Sequence, residues 1–315
     1  MSKKMIGIDL GGTSIKFAIV TESGMVEKQW NIPTDISDEG SHIVPDMIAS
    51  LQKEVTKEEW KEIIGIGMGS PGGVDCANGT VTGAYNLNWV ETQDLKTPME
   101  ETFHVPFYVD NDANVAALGE QWQGAGENQA DVVLVTLGTG VGGGIVLNHQ
   151  LMHGIAGGAG EIGHVTVALE KHDFPCTCGK KGCLETIASA TGIVNVAKKT
   201  LEESTMDSIL RQKEEFSAKD VYDAAKMEDA LALSIVDQVH QYLGLAVANI
   251  ANTLNPACVV IGGGVSAAGE ILRAGVQRYF EQFTFPLVQQ TTKIRLATLG
   301  NDAGVIGAAS LVLQA

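Results

Sequence analysis

Positive charge is what this chain has least of. Its 315 residues carry 21 lysines and arginines against 38 aspartates and glutamates, a formal net charge of −17. A surface that negative repels phosphate backbones and anionic lipid, which argues against direct nucleic-acid binding. An anionic nucleotide could bind only where backbone N–H groups and a metal ion are concentrated at one place. Long apolar runs are missing too. None approaches the roughly 18 residues of a membrane helix, and the short run from Met5 to Ile8 breaks at Asp9 before it can act as a signal peptide. Five cysteines is an odd count, and Cys76 and Cys258 have no nearby partner. That fits reduced thiols in the cytoplasm better than a disulfide framework. The 37 glycines fall in loops without a period, which excludes collagen-like and low-complexity chains. No G-x-x-x-x-G-K-[ST] run occurs, so this is not a P-loop enzyme.

What remains is an ordinary globular composition, 44% apolar and 19% charged. The length suits two domains at about 100–200 residues each. Residues 5–20 read as strand, tight turn, strand, with Gly11 and Gly12 in the turn. Residues 132–147 follow the same plan around Gly138-Thr139-Gly140. Aligned on Leu10-Gly11 and Leu137-Gly138, the two hairpins match without a gap, which predicts an internal duplication. The first half continues with an amphipathic helix near 40–57, a strand at 63–68 and a loop at 69–75. A strand at 105–109 then ends in Asp110-Asn111-Asp112-Ala113-Asn114 and a helix. The second half holds a helical region from Ala188 and a long helix near 228–252, stopped by Asn255-Pro256. A strand at 259–261 enters Gly262-Gly263-Gly264, and the chain closes with a strand at 294–299 and a helix after Asp302. The charged segment 202–218 reads as a surface excursion.

Gly138 to Gly143 satisfies G-x-G-x-x-G, but a dinucleotide site needs a helix immediately afterwards. Gly144-Ile145-Val146-Leu147 reads as a strand instead, so a Rossmann site is rejected. A glycine turn between strands can still hold phosphate through a nest of N–H groups. One such turn reads equally as a plain hairpin. Two copies, with a strand-borne Asp9 able to orient Mg²⁺ through its water shell, point to a nucleotide gripped across a cleft. Asp112 lies where a strand ends and a helix begins. It reads as an N-cap, or as a general base for an attacking hydroxyl; the two are compatible. The stretch 161–185 holds Cys176, Cys178 and Cys183 within eight residues, and His164 twelve residues upstream of the first. Three thiols and an imidazole suit a closed tetrahedral zinc site. A C-x-C redox pair is the competing reading.

These residues also carry a family likeness. Asp9-Leu10-Gly11-Gly12-Thr13, Leu137-Gly138-Thr139-Gly140 and Gly262-Gly263-Gly264 resemble the two phosphate motifs and the adenosine motif of the actin-like ATPase and sugar-kinase superfamily. Cys176-x-Cys178-Gly179-x-x-Gly182-Cys183-x-Glu185, preceded by Glu161-x-Gly163-His164, resembles the signature of the ROK family (repressors, open reading frames and kinases). The likeness runs along the whole chain in the family's order and is strongest to ATP-dependent glucokinases. It implies an α/β protein with the two-domain actin-like ATPase (ribonuclease H-like) fold and an internal duplication. We expect a small domain at 1–115 that takes back the C-terminal helix 302–315, and a large domain at 116–301 with the zinc loop.

The resemblance further implies a structural Zn²⁺ on His164, Cys176, Cys178 and Cys183, and Asp112 as the catalytic base. It implies a hexose held by Asn111, Asp112, Glu161, His164, Glu185, the Gly72 loop and Asn86. Mg-ATP would be held by Asp9, Gly11, Gly12, Thr13, Gly138, Thr139, Gly140, Gly263 and Gly264. Lys16, just after the first turn, reads equally as a phosphate ligand or an exposed lysine. The activity implied is ATP-dependent phosphorylation of glucose to glucose 6-phosphate by a cytoplasmic homodimer, with domain closure excluding water. Related kinases act on N-acetylmannosamine, fructose or allose, and only loop contacts would separate them. A sugar-responsive ROK regulator lacking its DNA-binding segment is the reading of a different class. Such regulators carry a helix-turn-helix ahead of the first strand; here that strand starts at Met5 and the charge is acidic, so the expectation is a kinase.

Overall fold

The computed structural model describes residues 3–168, 172 and 174–314. Among the described residues, thirteen strands form three sheets. The first sheet has the order β3-β2-β1-β4-β8, from β1 (Lys4–Leu10), β2 (Ser14–Thr21), β3 (Val26–Pro33), β4 (Ile63–Ser70) and β8 (Phe107–Asn111). β5 (Gly73–Asp75), β6 (Thr80–Thr82) and β7 (Gln93–Asp94) make a small antiparallel sheet. The third sheet has the order β11-β10-β9-β12-β13, from β9 (Val132–Leu137), β10 (Val141–Leu147), β11 (Gln150–Leu151), β12 (Cys258–Gly262) and β13 (Lys293–Leu296). Read from the outer hairpin strand inward, the two large sheets have one plan. A hairpin opens each; its first strand pairs in parallel with a later strand, and that strand pairs in parallel with one later still. The duplication legible in the two glycine hairpins is therefore a duplication of whole sheets, as in the actin-like ATPase fold.

Burial explains the strand sequences. β1, β4, β9 and β12 are central and covered on both faces, so they read as nearly unbroken apolar runs. The edge strand β3 alternates half-buried and exposed residues along its length. On the first sheet the Ile43–Glu54 helix buries Ile43, Met47 and Leu51 in the cluster that contains Ile6, Ile8, Phe17 and Met68. The Ala303–Ser310 helix packs on β1 and β4 and against the Asp112–Trp122 helix. Glycines let it come this close. A Cβ on Gly7 would overlap the Val305 carbonyl oxygen, one on Gly67 the Ala308 oxygen, and one on Gly307 the Val115 oxygen.

The chain divides into two compact units. One comprises Met1–Gln129, Gly144–Ala159 and Asn301–Ala315; the other comprises Ala130–Gly143 and Gly160–Gly300. The first boundary lies beyond the expected 115/116, because the whole Asp112–Trp122 helix packs on the returning C-terminal helix. In the second unit the 25-residue Ala230–Leu254 helix is the longest core element. It ends at Asn255 in the left-handed conformation, with Pro256 next. Among the helices that escaped the sequence reading are Lys96–Phe103, Ala218–Lys226 and Glu270–Phe283. Among the described residues, no helix is long and apolar enough to cross a membrane.

Candidate active site

In the first unit, the expected residues gather at the carboxyl ends of parallel strands, where open α/β sheets place their ligands. Strand register sets Asp9 beside Gly69 and Gly69 beside Asp110, with Asn111 beside Ser70. Asn111 ends β8 and is the N-cap of the next helix, its side-chain oxygen accepting from the Ala113 N–H at 2.9 Å. Asp112 is thus the first helical residue and not the cap. Its Oδ1 also accepts from Ala113 N–H, at 2.8 Å, and its side chain is exposed. The carboxylate is therefore fixed in direction at a helix start while open to solvent.

Asp9 is mostly buried, and burial raises its carboxyl above the usual carboxylate range. Lys16 pulls it down and Asp112 pushes it up further. Lys16 faces Asp9 across the β1–β2 pair, Nζ to Oδ2 3.9 Å, and donates to the Asn301 carbonyl at 2.9 Å. Lys16 is thus held within its own unit. The Gly11–Thr13 turn is closed by the Gly11 N–H on the Ser14 oxygen at 3.0 Å. Asn86 stands in a short helical turn, Tyr85–Leu87, against this turn: its backbone oxygen would lie 3.3 Å from a Cβ on Gly12. Gly72 has φ +94°, a conformation open to glycine, where the chain leaves β4 for β5.

The second unit holds the cysteine knuckle. The ligand atoms of His164, Cys176, Cys178 and Cys183 all lie within 4.8 Å of one another. Cys178 Sγ and Cys183 Sγ are 3.7 Å apart, and Cys176 Sγ is 3.5 Å from His164 Nδ1. Ligands held tetrahedrally at zinc–sulfur and zinc–nitrogen bond lengths stand about 3.8 Å and about 3.6 Å apart, so the donor set fits a zinc ion. Gly179 and Gly182, both at positive φ, make the turns. At Gly182 a Cβ would overlap the Ala168 carbonyl oxygen, so nothing larger fits. Burial pushes the Cys183 thiol up to about 12, which means a thiolate there wants a cation beside it.

The knuckle is tied to the second glycine turn through Glu185. Its Oε2 accepts from the Val141 N–H at 3.0 Å, while Oε1 lies 3.8 Å from Cys176 Sγ. A Cβ on Gly140 would run into that carboxylate and push it aside. His164 presents Nδ1 to the sulfurs and Nε2 to Glu161, 3.7 Å from its Oε2. Glu161 itself is exposed.

A groove of about 490 Å³ opens beside the same turn. Gly138, Thr139, Ser217, Tyr222, Gly264 and Ala268 line it. Gly263, at φ +79°, backs onto the main chain of Leu137 with no room for a Cβ, which brings β12's exit loop against the β9–β10 turn. Of the expected nucleotide residues, Gly138, Thr139 and Gly264 reach the groove, whereas Gly140 faces Glu185 instead. The contribution of the Ala218–Lys226 helix was missed. One signal was present: Ser217 and Asp220 form a capping box, the S-x-x-D spacing of a helix start.

Comparison with known proteins agrees with this architecture. The ROK family model matches residues 5–315. A glucokinase of Halalkalibacterium halodurans is 46% identical over 314 residues, covering 98% of this chain and 94% of that protein. A xylose repressor of Caldicellulosiruptor bescii is 32% identical, covering 98% of this chain and 78% of that protein. Among solved structures, a ROK family glucokinase from Streptomyces griseus in complex with glucose and AMPPNP superimposes with a TM-score of 0.75. It is 31% identical, and the match covers 99% of this chain and 100% of that one. With its family model matched almost end to end, its sheets duplicated and its cysteine knuckle in place, this chain belongs to the ROK family.

Proposed function

We propose that this protein transfers the terminal phosphoryl group of ATP to glucose, forming glucose 6-phosphate. The observation that carries the reading is Asp112: an exposed carboxylate, fixed by the first turn of its helix, at the carboxyl ends of parallel strands and near Asp9. Phosphoryl transfer asks mainly for positioning and charge neutralisation, with one carboxylate to take the hydroxyl proton. Asp112 is assigned that proton, and Asn111, Asn86 and the Gly72 turn are assigned hydroxyls of the sugar. Asp9 would orient Mg²⁺ through its water shell, and that ion would supply charge neutralisation at the phosphates. Gly11, Gly12 and Thr13 are assigned phosphate oxygens, with Lys16 holding Asp9 in place.

In the second unit, the groove beside Gly138 and Thr139 is assigned to adenosine, with Gly263 and Gly264 as its floor. His164, Cys176, Cys178 and Cys183 are assigned a structural Zn²⁺, which would supply charge to hold three thiolates together. With Cys176 as thiolate, the Glu185 Oε1 has no donor there and is left to accept from a sugar hydroxyl; Glu161 and His164 Nε2 complete that polar edge. The homodimer and the cytoplasmic location implied by the family resemblance belong to the same reading.

Glucose is supported as the sugar by the glucokinases of H. halodurans and S. griseus. The test is a coupled assay of ADP release with ATP against glucose, N-acetylmannosamine, fructose and allose. The highest kcat/KM on glucose is expected. A higher value on another hexose moves the substrate to that sugar. The likeness to a xylose repressor favours a second reading, a sugar-responsive regulator; sugar binding with no ADP release on any sugar would select it.

A further inference from the structure

Among the described residues, one other group of side chains able to hold a metal comes together. Cys76, Asp110 and His153 each offer one ligand atom, and these atoms all lie within 4.8 Å of one another. All three belong to the first compact unit. They come from distant places in the sequence: the turn after β5, the end of β8 and the loop after β11.

Each is held where it stands. Asp110 is only 3% exposed. Its Oδ1 accepts from the Asn111 N–H at 2.7 Å and from Asn114 Nδ2 at 2.8 Å, which leaves Oδ2 to face His153 Nε2 at 2.6 Å. The turn bearing Cys76 is fixed by Asp75, whose Oδ1 accepts from the N–H groups of Ala77 and Asn78, both at 3.1 Å. Cys76 is exposed and lies against the His153 ring.

We propose that Cys76, Asp110 and His153 form a second metal site, separate from the cysteine knuckle, that takes Zn²⁺ or another divalent ion of similar softness. A thiolate, an imidazole and a carboxylate are the donor types such ions accept, and the thiolate disfavours Mg²⁺ and Ca²⁺. Three protein ligands leave a fourth position for water, unlike the closed knuckle. A nitrogen and an oxygen bound to zinc stand about 3.3 Å apart, so the ion enters by parting His153 from Asp110 by less than about 1 Å. The hydrogen bonds on Asp110 Oδ1 orient the other oxygen, the outer support that ligating carboxylates need. Asp110 is two residues before Asp112, across the strand-to-helix switch, so occupancy reaches the corner that carries the proposed base.

The test is titration of the full-length protein with Co²⁺, followed by thiolate-to-cobalt charge-transfer absorption and by equilibrium dialysis, in the wild type, Cys76→Ser and His153→Gln. The wild type is expected to bind one Co²⁺ more than Cys76→Ser, with additional charge-transfer intensity. His153→Gln is expected to weaken that ion by roughly tenfold or more. Circular dichroism melts of the three proteins show whether each variant is folded, and a folded Cys76→Ser with wild-type stoichiometry and spectrum overturns the site.

Discussion

Lowering the pH should loosen the second compact unit through one residue, His240. It lies in the Ala230–Leu254 helix, 3% exposed, with Nε2 3.2 Å from the Tyr222 hydroxyl. On its other side Gly275 comes so close that a Cβ there would overlap Nδ1. Burial pushes the imidazole from its ordinary 6.5 down to about 4, with Asp237 raising it and Arg278 lowering it by smaller amounts. The folded state therefore holds His240 neutral while the unfolded chain protonates it from about pH 6.5 downward. Its contribution to stability is complete above the unfolded value and is lost as the pH falls toward the folded one. Worked from those two values by linkage, the loss is about 2 kcal/mol at pH 5 and about 3 kcal/mol at the acid limit. The measurement is urea unfolding by circular dichroism at several pH values between 7.5 and 5, for the wild type and His240→Gln. Other titrating groups act alike in both proteins, so the difference isolates His240. The wild type should lose about 2 kcal/mol more than the variant over that range. Parallel curves would refute the reasoning. The effect touches function as well, since Tyr222 lines the groove assigned to adenosine.

Two other perturbations test the scaffold. Gly307→Ala forces a Cβ onto the Val115 carbonyl oxygen and must separate the C-terminal helix from the helix that begins at Asp112; a loss of about 1–3 kcal/mol in thermal unfolding is expected, with reduced turnover, and a wild-type melting temperature would contradict it. Cys178→Ser should leave the knuckle with one thiolate fewer and strip its zinc, so metal analysis of the purified variant should show one zinc less per chain; unchanged zinc content removes the assignment.

How much was legible in the sequence followed from how local each signal is. The cysteine knuckle could be read because its residues His164, Cys176, Cys178 and Cys183 span only 20 positions. The duplication could be read because both copies open with the same glycine hairpin, and glycine is there for close backbone approach. The long Ala230–Leu254 helix declared itself by its period and by its Asn255-Pro256 stop. The groove was not legible. Thr139, Ser217, Tyr222 and Gly264 meet only after three separated segments have folded, and no spacing announces that. Nor was the Cys76, Asp110 and His153 group, which Cys76's apparent isolation in sequence concealed. The packing of Gly140 was not legible either, since the carboxylate of Glu185, 45 residues on, lies where its side chain would be. The Asp112 corner was half legible: the strand-to-helix switch was evident, but the cap proved to be Asn111.

The account's central claim is that Asp112 accepts the proton of a sugar hydroxyl as the phosphoryl group is transferred. Asp112→Asn removes the base while keeping the shape of the side chain and its hydrogen bond to the Ala113 N–H. Glucose affinity by titration calorimetry and kcat by coupled ADP release, measured on the same preparation, separate binding from chemistry. The account predicts glucose binding close to wild type with turnover reduced by about 10² or more. Turnover within a few-fold of wild type, with glucose still bound, would contradict it.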